Sequence, residues 1–250
     1  MKKYNLFLDF DNTFIPSKLC YQFAIEKISN DLIGLPWDSK IDFHSEWDRV
    51  RKESQEKLPT HPAKRNRLLH FKWMLRDKLS AQKQARILLY LENQYFTYFF
   101  EALQNFVVEH KQFYYEVFQL LESIQSDTFF CFVTNENLRT QIQKYHNVPF
   151  PENLNIPLWT SEEAGAEKPS LAFFTSLTDF FETSLDLPTA ILGDSMEDDV
   201  QAGIQFQWKS YFIREMIGDR STLNTFKKDD GFYQEVSHLL TALEHYKQTR

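Results

Sequence analysis

Short apolar runs, each closed by polar residues, recur along the chain and predict buried β-strands. The first, Tyr4–Leu8, ends at Asp9, and the second, Thr128–Val133, ends at Thr134. Three further runs of the same kind are Leu158–Trp159, Ala190–Leu192 and Tyr211–Ile213. Because apolar and polar residues do not alternate within these runs, they predict a parallel sheet that is covered on both faces.

Amphipathic segments follow the predicted strands and predict α-helices. These segments are Phe113–Ile124, Leu138–Tyr145, Ser170–Phe181, Glu197–Ile204 and Gly231–Tyr246. Strands that alternate with helices are typical of an α/β fold with a Rossmann-like parallel sheet. In such a sheet, ligands bind at the carboxyl ends of the strands.

The long interval between the first two strands departs from this alternation. No convincing strand occurs between residue 18 and about residue 105, whereas helical patterns do. The helical patterns cover Leu19–Ile33, Lys64–Lys78 and Ala81–Leu103. Since one crossover needs only one helix, the excess predicts an inserted helical domain at residues 16–105. The α/β core would then be discontinuous, comprising residues 1–15 and 106–250.

Composition and charge narrow the classes of function. The chain has 250 residues, enough to bury a sizeable core, and its 28 Lys and Arg against 35 Asp and Glu give a formal charge of −7. This balance argues against a broad nucleic-acid surface but permits a small anionic substrate. The two cysteines form no metal-spaced cluster and no disulfide framework. Without an apolar stretch of membrane length, we expect a cytoplasmic protein with no membrane partner.

Polar residues that suit phosphoryl chemistry lie where three of the predicted strands end, and a fourth group, Lys168-Pro169, lies just before a predicted helix. In chain order they are Asp9-Phe10-Asp11-Asn12-Thr13, Thr134-Asn135, Lys168-Pro169 and Gly193-Asp194-Ser195, with Asp198-Asp199 shortly after. Any one of the strand-end groups alone is more typical of a turn, and Lys168 alone is more typical of a surface lysine. The three groups at strand ends share the carboxyl edge of one sheet, where ligands bind.

In this order and spacing, the four groups resemble the motifs of the haloacid dehalogenase-like (HAD) hydrolase superfamily. The resemblance covers residues 1–15 and roughly 106–250, the predicted core. It implies a phosphatase in which a helical cap is inserted after the first motif, and the segment at 16–105 is similar to the caps of small-molecule phosphatases and nucleotidases. Such a cap is expected to close over the site and exclude water.

The resemblance also implies catalytic roles. Asp9 is expected to attack phosphorus and form an aspartyl phosphate, and Asp11 to act as general acid and then as general base. Mg²⁺ is expected to bind the carboxylates of Asp9 and Asp194 and the backbone carbonyl of Asp11. A hard cation with oxygen ligands suits this chemistry because the substrate is a dianion approached by an anionic nucleophile.

The remaining motif residues are expected to bind the phosphoryl group or to hold the catalytic residues in place. By the resemblance, Thr134 and Asn135 contact the phosphoryl oxygens, as does Lys168, which is also a catalytic residue. Asp199 is expected to orient Lys168 or a water molecule at the metal. Thr13 and Ser195 would brace the two acidic loops.

Asp11 distinguishes among the chemistries of the superfamily. Dehalogenases attack carbon and need no acid two residues after the nucleophile, so Asp11 favours phosphate esters. A phosphomutase stays an alternative, although mutases generally carry Gly where this chain has Asn12. A catalytically silent binding or regulatory protein is the second alternative. The expected substrate is a small phosphorylated metabolite, either a nucleoside monophosphate or a sugar or organic-acid phosphate, and the expected state is a monomer or weak homodimer.

Overall fold

The computed structural model describes residues 2–59, 61–76, 78–229 and 231–250. The chain forms two compact units. One comprises Met1–Pro16 and Phe106–Arg250, and the other comprises Ser17–Asn105. The first unit is called the core unit below, and the second the helical unit. That the helical unit acts as a cap stays a prediction.

The core unit is built on one seven-stranded sheet within the described residues. Its strands are β1 (Tyr4–Leu8), β2 (Thr128–Thr134), β3 (Leu158–Thr160), β4 (Thr189–Gly193), β5 (Lys209–Ile213), β6 (Leu223–Lys228) and β7 (Gly231–Val236). They lie in the order β3-β2-β1-β4-β5-β7-β6, and only the β6–β7 pair is antiparallel. The predicted α/β fold with a Rossmann-like parallel sheet is therefore confirmed.

Helices make up the rest of the regular structure. In chain order they are α1 (Ser17–Asn30), α2 (Lys40–Lys57), α3 (Arg67–Met74), α4 (Ala81–Glu109), α5 (Lys111–Ile124), α6 (Leu138–His146), α7 (Ser161–Ala164), α8 (Leu171–Phe180), α9 (Gln201–Gln205) and α10 (Leu239–Thr249). A 3₁₀ turn, Pro62–Arg65, precedes α3, and a π-helical turn, Met196–Val200, precedes α9. In the described part of the chain, none of the helices has the length and apolar character needed to cross a membrane.

β1 occupies the middle of the sheet because both of its faces are apolar. Leu6, Phe7 and Leu8 are buried, and Leu8 lies beside Phe132 of β2 on one side and Leu192 of β4 on the other. This position removes the last four residues of the strand from water, and burial of apolar surface is the main stabilising contribution of such a strand. As a result, the residue after Leu8 emerges at the centre of the carboxyl edge.

The end of the chain differs from the sequence prediction. The expected helix over Gly231–Tyr246 is wrong in its first part, where β7 lies, and α10 begins only at Leu239. The sequence also did not predict β6, whose residues are almost all exposed. An edge strand with little buried surface carries no apolar signature, and β7 is a strand because it pairs with both β5 and β6.

Four other predicted helices have clearly different bounds. The segment Leu19–Ile33 is α1, which ends at Asn30. The segment Glu197–Ile204 begins as the π-helical turn before α9, and the segment Lys64–Lys78 is a 3₁₀ turn followed by α3, with Asp77 outside the described residues. The segment Ala81–Leu103 extends to Glu109 as α4. α2 was not predicted, because its buried positions are few among many charged residues.

The helical unit has its own aromatic core. Trp47 of α2 contacts the rings of His70 and Phe71 of α3 and of Tyr95 of α4, with ring centroids 5.5 to 6.5 Å apart. His70 is buried, and its Nε2 lies 2.9 Å from the carbonyl oxygen of Lys64. Burial, reinforced by the charge of Arg67, lowers the pKa of His70 to about 3.

We expect acidification to destabilise the protein through His70. Because its pKa is lower in the folded state than in the unfolded state, the unfolded chain binds the extra proton as pH falls below about 6.5. The contribution of His70 to the free energy of unfolding is fully present above that pH. At pH 5 this contribution should be lower by about 2 kcal/mol. Urea unfolding across this range should show a shallower pH dependence for His70→Gln. The matched exposed variant His146→Gln should follow the wild type, and an unchanged slope in His70→Gln would contradict the assignment.

Candidate active site

The carboxyl edge of the sheet brings the sequence motifs together. Asp9 follows β1, and its backbone amide donates to the carbonyl of Leu192 at 2.8 Å, so the β1–β4 ladder continues into the motif. The chain then turns sharply at Asn12, whose φ of +59° lies in the left-handed region that Asn tolerates. The amide of Asn12 donates to the carbonyl of Ile15 at 2.7 Å, which closes the loop.

Lys168 lies at the centre of the site. Only 3% of the residue is exposed, and its Nζ donates to Asp9 Oδ1 at 2.7 Å and to Asp199 Oδ1 at 2.6 Å. Burial lowers the pKa of its ammonium group, but the carboxylates of Asp199 and Asp9 outweigh this effect, and the pKa is raised overall. Lys168 is therefore a permanent positive charge held between two buried carboxylates.

Three carboxylates converge beside this lysine. Oxygen atoms of Asp9, Asp194 and Asp199 lie within 4.8 Å of one another. Burial raises the pKa of Asp9 well above its ordinary value, against the opposing effect of Lys168, and the other carboxylates raise it further. Burial, followed by the charge of Asp199, raises the pKa of Asp194 to about 6. The site therefore carries more negative charge than Lys168 alone compensates.

Asp199 is distinguished from the other two carboxylates by its partners. Its Oδ1 accepts from Lys168, and its Oδ2 accepts from the amide of Ser195 at 3.1 Å. A Cβ atom at Gly193 would lie 2.0 Å from Asp199 Oδ2, so the carboxylate occupies space that only glycine leaves open. These contacts suit Asp199 to orienting Lys168 rather than to binding a metal.

The donor set fits Mg²⁺. The ion prefers carboxylate oxygens, and a divalent charge would stabilise the ionised forms of Asp9 and Asp194, whose pKa values are raised first by burial and then by the neighbouring carboxylates. These two carboxylates are the residues that would hold it, since both oxygens of Asp199 have protein partners. The proposed backbone ligand at Asp11 stays a prediction.

The carboxylate of Asp11 lies against α6. Its Oδ1 accepts from Lys144 Nζ, and its Oδ2 accepts from Gln141 Nε2, both at 2.5 Å. The same Gln141 amide donates to Thr134 Oγ1 at 2.8 Å. Neither α6 residue was among the predicted site residues, although Gln141 links two that were, Asp11 and Thr134.

The pattern of α6 explains why these residues were missed. Its apolar residues Leu138, Ile142 and Tyr145 have helical spacing and would indicate the buried face. The structure instead exposes Ile142 and buries Gln141 and Lys144. The available signal was a lysine and a glutamine three residues apart on the helix that follows the second motif, a weak pattern without the position of Asp11.

The remaining predicted residues support the motifs in different ways. Asn135 uses its side chain to join the second and third motifs, because Nδ2 donates to the Lys168 carbonyl at 3.1 Å and Oδ1 accepts from the Lys168 amide at 2.7 Å. Ser195 caps the π-helical turn by accepting from the amide of Asp198 at 3.0 Å. Thr13 is buried, and its hydroxyl has no hydrogen-bond partner among the described residues.

Solved structures with the same fold support this description of the core. YfnB from Bacillus subtilis, assigned to the HAD hydrolases and crystallised with magnesium, is 18% identical, with a TM-score of 0.58 and coverage of 99% of this chain and 100% of its own. A 2-haloacid dehalogenase from Pseudomonas syringae pv. Tomato DC3000 is 16% identical, with a TM-score of 0.65 and full coverage of both chains. A HAD phosphatase from Thermococcus onnurineus is 14% identical, with a TM-score of 0.60 and 98% coverage of each.

These similarities establish the fold of the chain. No family model and no curated protein sequence matches the chain. The chain has the fold of the haloacid dehalogenase-like hydrolase superfamily, as its motifs predicted. Since the structural relatives include both a phosphatase and a dehalogenase, the chemistry must be argued from the site.

Proposed function

We propose that this protein hydrolyses small phosphomonoesters through an aspartyl phosphate on Asp9. The observation that carries this proposal is the buried cluster in which Lys168 lies between Asp9 and Asp199, with Asp194 beside them. A carboxylate nucleophile next to a fixed cation suits an anionic substrate, because the cation offsets the repulsion between the two. Asp11, in the same loop as Asp9, supplies the proton-transfer group.

In the first step, a carboxylate oxygen of Asp9 attacks phosphorus and the bond from phosphorus to the leaving oxygen breaks. Asp11 donates its proton to that oxygen, and the alcohol departs. Lys168 fixes the Asp9 carboxylate at 2.7 Å and directs positive charge at the phosphoryl oxygens. Asp199 prevents Lys168 from swinging away, since it holds the same Nζ at 2.6 Å.

In the second step, water attacks the phosphorus of the aspartyl phosphate. The carboxylate of Asp11 takes a proton from that water, and the bond between phosphorus and Asp9 breaks. Inorganic phosphate leaves, while Asp9 is again a carboxylate and Asp11 again carries its proton. Mg²⁺ held by Asp9 and Asp194 would supply positive charge that offsets the charge of the phosphate dianion.

The presence of Asp11 favours this reaction over its nearest alternatives. Attack on a carbon–halogen bond releases halide, which needs no proton, so that reaction requires no acid two residues after the nucleophile to protonate the leaving group. A phosphomutase would use the same groups but pass the phosphoryl group to a second hydroxyl. The products therefore distinguish the three activities.

The test is product release from a panel of small phosphomonoesters and 2-haloacids, with Mg²⁺ and with excess chelator. We expect inorganic phosphate in the presence of Mg²⁺, little phosphate with chelator, and no halide. Halide release would support a dehalogenase instead. Isomerised phosphoester without free phosphate would support a mutase, and absence of any product across the panel would count against catalysis.

A further inference from the structure

Two buried side chains of α6 hold the proton-transfer group in place. Lys144 donates to one carboxylate oxygen of Asp11 and Gln141 to the other, so each oxygen has one partner from the helix. Lys144 and Gln141 are both fully buried, whereas the side chain of Asp11 stays 22% exposed. A carboxylate oxygen can accept more than one hydrogen bond, so the exposed side of Asp11 can still exchange a proton.

We propose that Lys144 and Gln141 are positioning residues that orient Asp11 for proton transfer to and from the phosphoester. This inference rests on the proposed function. Proton transfer needs the donor within hydrogen-bond distance of the leaving oxygen, and an aspartate in a loop is not held there by its backbone alone. Two donors on one rigid helix fix both oxygens and therefore fix the plane of the carboxylate.

The orientation of Gln141 supports a directed arrangement. Its Nε2 donates to Asp11 Oδ2. This donor group must face Asp11 in the ionised form that acts as the base in the second step, because an ionised carboxylate only accepts hydrogen bonds. This leaves Oε1 of Gln141 buried with no hydrogen-bond partner among the described residues. An unsatisfied buried carbonyl lowers the free energy of unfolding. The contact of Gln141 with Asp11 is therefore present although it leaves Oε1 in an unfavourable environment.

Gln141 also determines how Thr134 can bind. The second hydrogen of its Nε2 is donated to Thr134 Oγ1, so the hydroxyl acts as an acceptor toward Gln141. The hydroxyl hydrogen of Thr134 is then directed to another acceptor, which suits a phosphoryl oxygen. One amide group thereby aligns both the proton-transfer group and a phosphate-binding hydroxyl.

The buried charge of Lys144 points to the same conclusion. A buried ion pair contributes little net stability, because desolvation offsets most of the attraction, and an apolar pair of similar volume is often as stable. A lysine and a glutamine on the buried face of α6 are therefore not explained by packing. Their contact with Asp11 explains both residue types.

A positioning role has a specific kinetic signature. General acid catalysis matters most when the leaving oxygen is strongly basic, as in an alkyl phosphate, and least for a stabilised leaving group such as 4-nitrophenolate. We expect Lys144→Met and Gln141→Met to lower kcat/KM for an alkyl phosphate by about 10²-fold, and for 4-nitrophenyl phosphate by less than about 10-fold. kcat/KM is the right quantity because it includes the step in which the leaving group departs.

The experiment measures kcat/KM with both substrates, in Mg²⁺, for the wild type, the two variants and Tyr145→Phe. Tyr145 lies on the same helix and donates to the carbonyl of Ile156, so its variant loses a hydrogen bond of α6 without touching Asp11. We expect Tyr145→Phe to keep the wild-type ratio of the two kcat/KM values. Lys144→Met should also change kcat/KM little in an Asp11→Asn background, since its effect acts through Asp11.

Equal losses with both substrates, or an undiminished loss in the Asp11→Asn background, would overturn the positioning role while leaving the phosphatase proposal intact. If Lys144→Met does not fold, Gln141→Met provides the same comparison, and failure of both to fold would make the pair purely structural. A wild-type protein that releases no phosphate from either substrate would overturn the proposed function and this inference together.

Discussion

Asp9→Asn is expected to lower Mg²⁺-dependent phosphate release by about 10³-fold or more while leaving the fold intact. An amide has the same shape as the carboxylate and can still accept from Lys168, but it does not form the aspartyl phosphate. Replacement of Asp9 also removes one of the two carboxylates that are proposed to bind Mg²⁺. Steady-state phosphate release at saturating Mg²⁺, with circular dichroism as the check on folding, measures the effect.

A matched variant distinguishes the effect on activity of losing the nucleophile from the effect of losing one negative charge. Asp179 is exposed on α8 in the same unit, and Asp179→Asn should retain wild-type activity. Mass spectrometry of rapidly quenched wild type should place a phosphoryl group on Asp9. Substantial turnover by Asp9→Asn, or phosphorylation at another residue, would rule out Asp9 as the nucleophile.

Lys168→Met is expected to lower both activity and stability. Its removal leaves Asp9 and Asp199 as buried carboxylates without the cation that lies 2.7 and 2.6 Å from them. Loss of one partner from a buried ion pair typically costs about 3 to 5 kcal/mol in the free energy of unfolding. Loss of the positive charge that Lys168 directs at the phosphoryl oxygens should lower kcat/KM by about 10³-fold.

Urea unfolding and phosphate release on the same preparation measure the two effects of Lys168→Met. Lys111→Met removes an exposed lysine at the start of α5. It should change the free energy of unfolding by no more than about 0.5 kcal/mol and leave phosphate release at the wild-type rate. A Lys168→Met protein as stable as the wild type would show that the buried carboxylates do not depend on this lysine. Full activity in a stable variant would exclude Lys168 from phosphate binding.

The sequence predicted the centre of the sheet and the residues at its carboxyl edge because those signals are local. β1, β2 and β4 are short apolar runs, and each is followed directly by polar residues whose order and spacing match the HAD motifs. A strand buried on both faces must be apolar along its whole length, so its end is visible from the residue types alone. Asp9 and Asp194 were selected in this way, and Lys168 and Asp199 were selected by their place in the order of the motifs. The structure brings the four side chains together.

Some helices and strands have no apolar pattern that predicts their type or their buried face, and only the tertiary structure determined them. β6 and the first half of the predicted C-terminal helix form strands through pairing with neighbours, and α6 buries its polar side chains instead of Ile142. The partners of Asp11 are the clearest case, since Lys144 is 133 residues away in the chain. Residue type and local spacing determine which segments are buried. A contact between side chains that are distant in the chain depends on where the packed helices and strands lie in space. The local pattern of residue types carries no information about those positions.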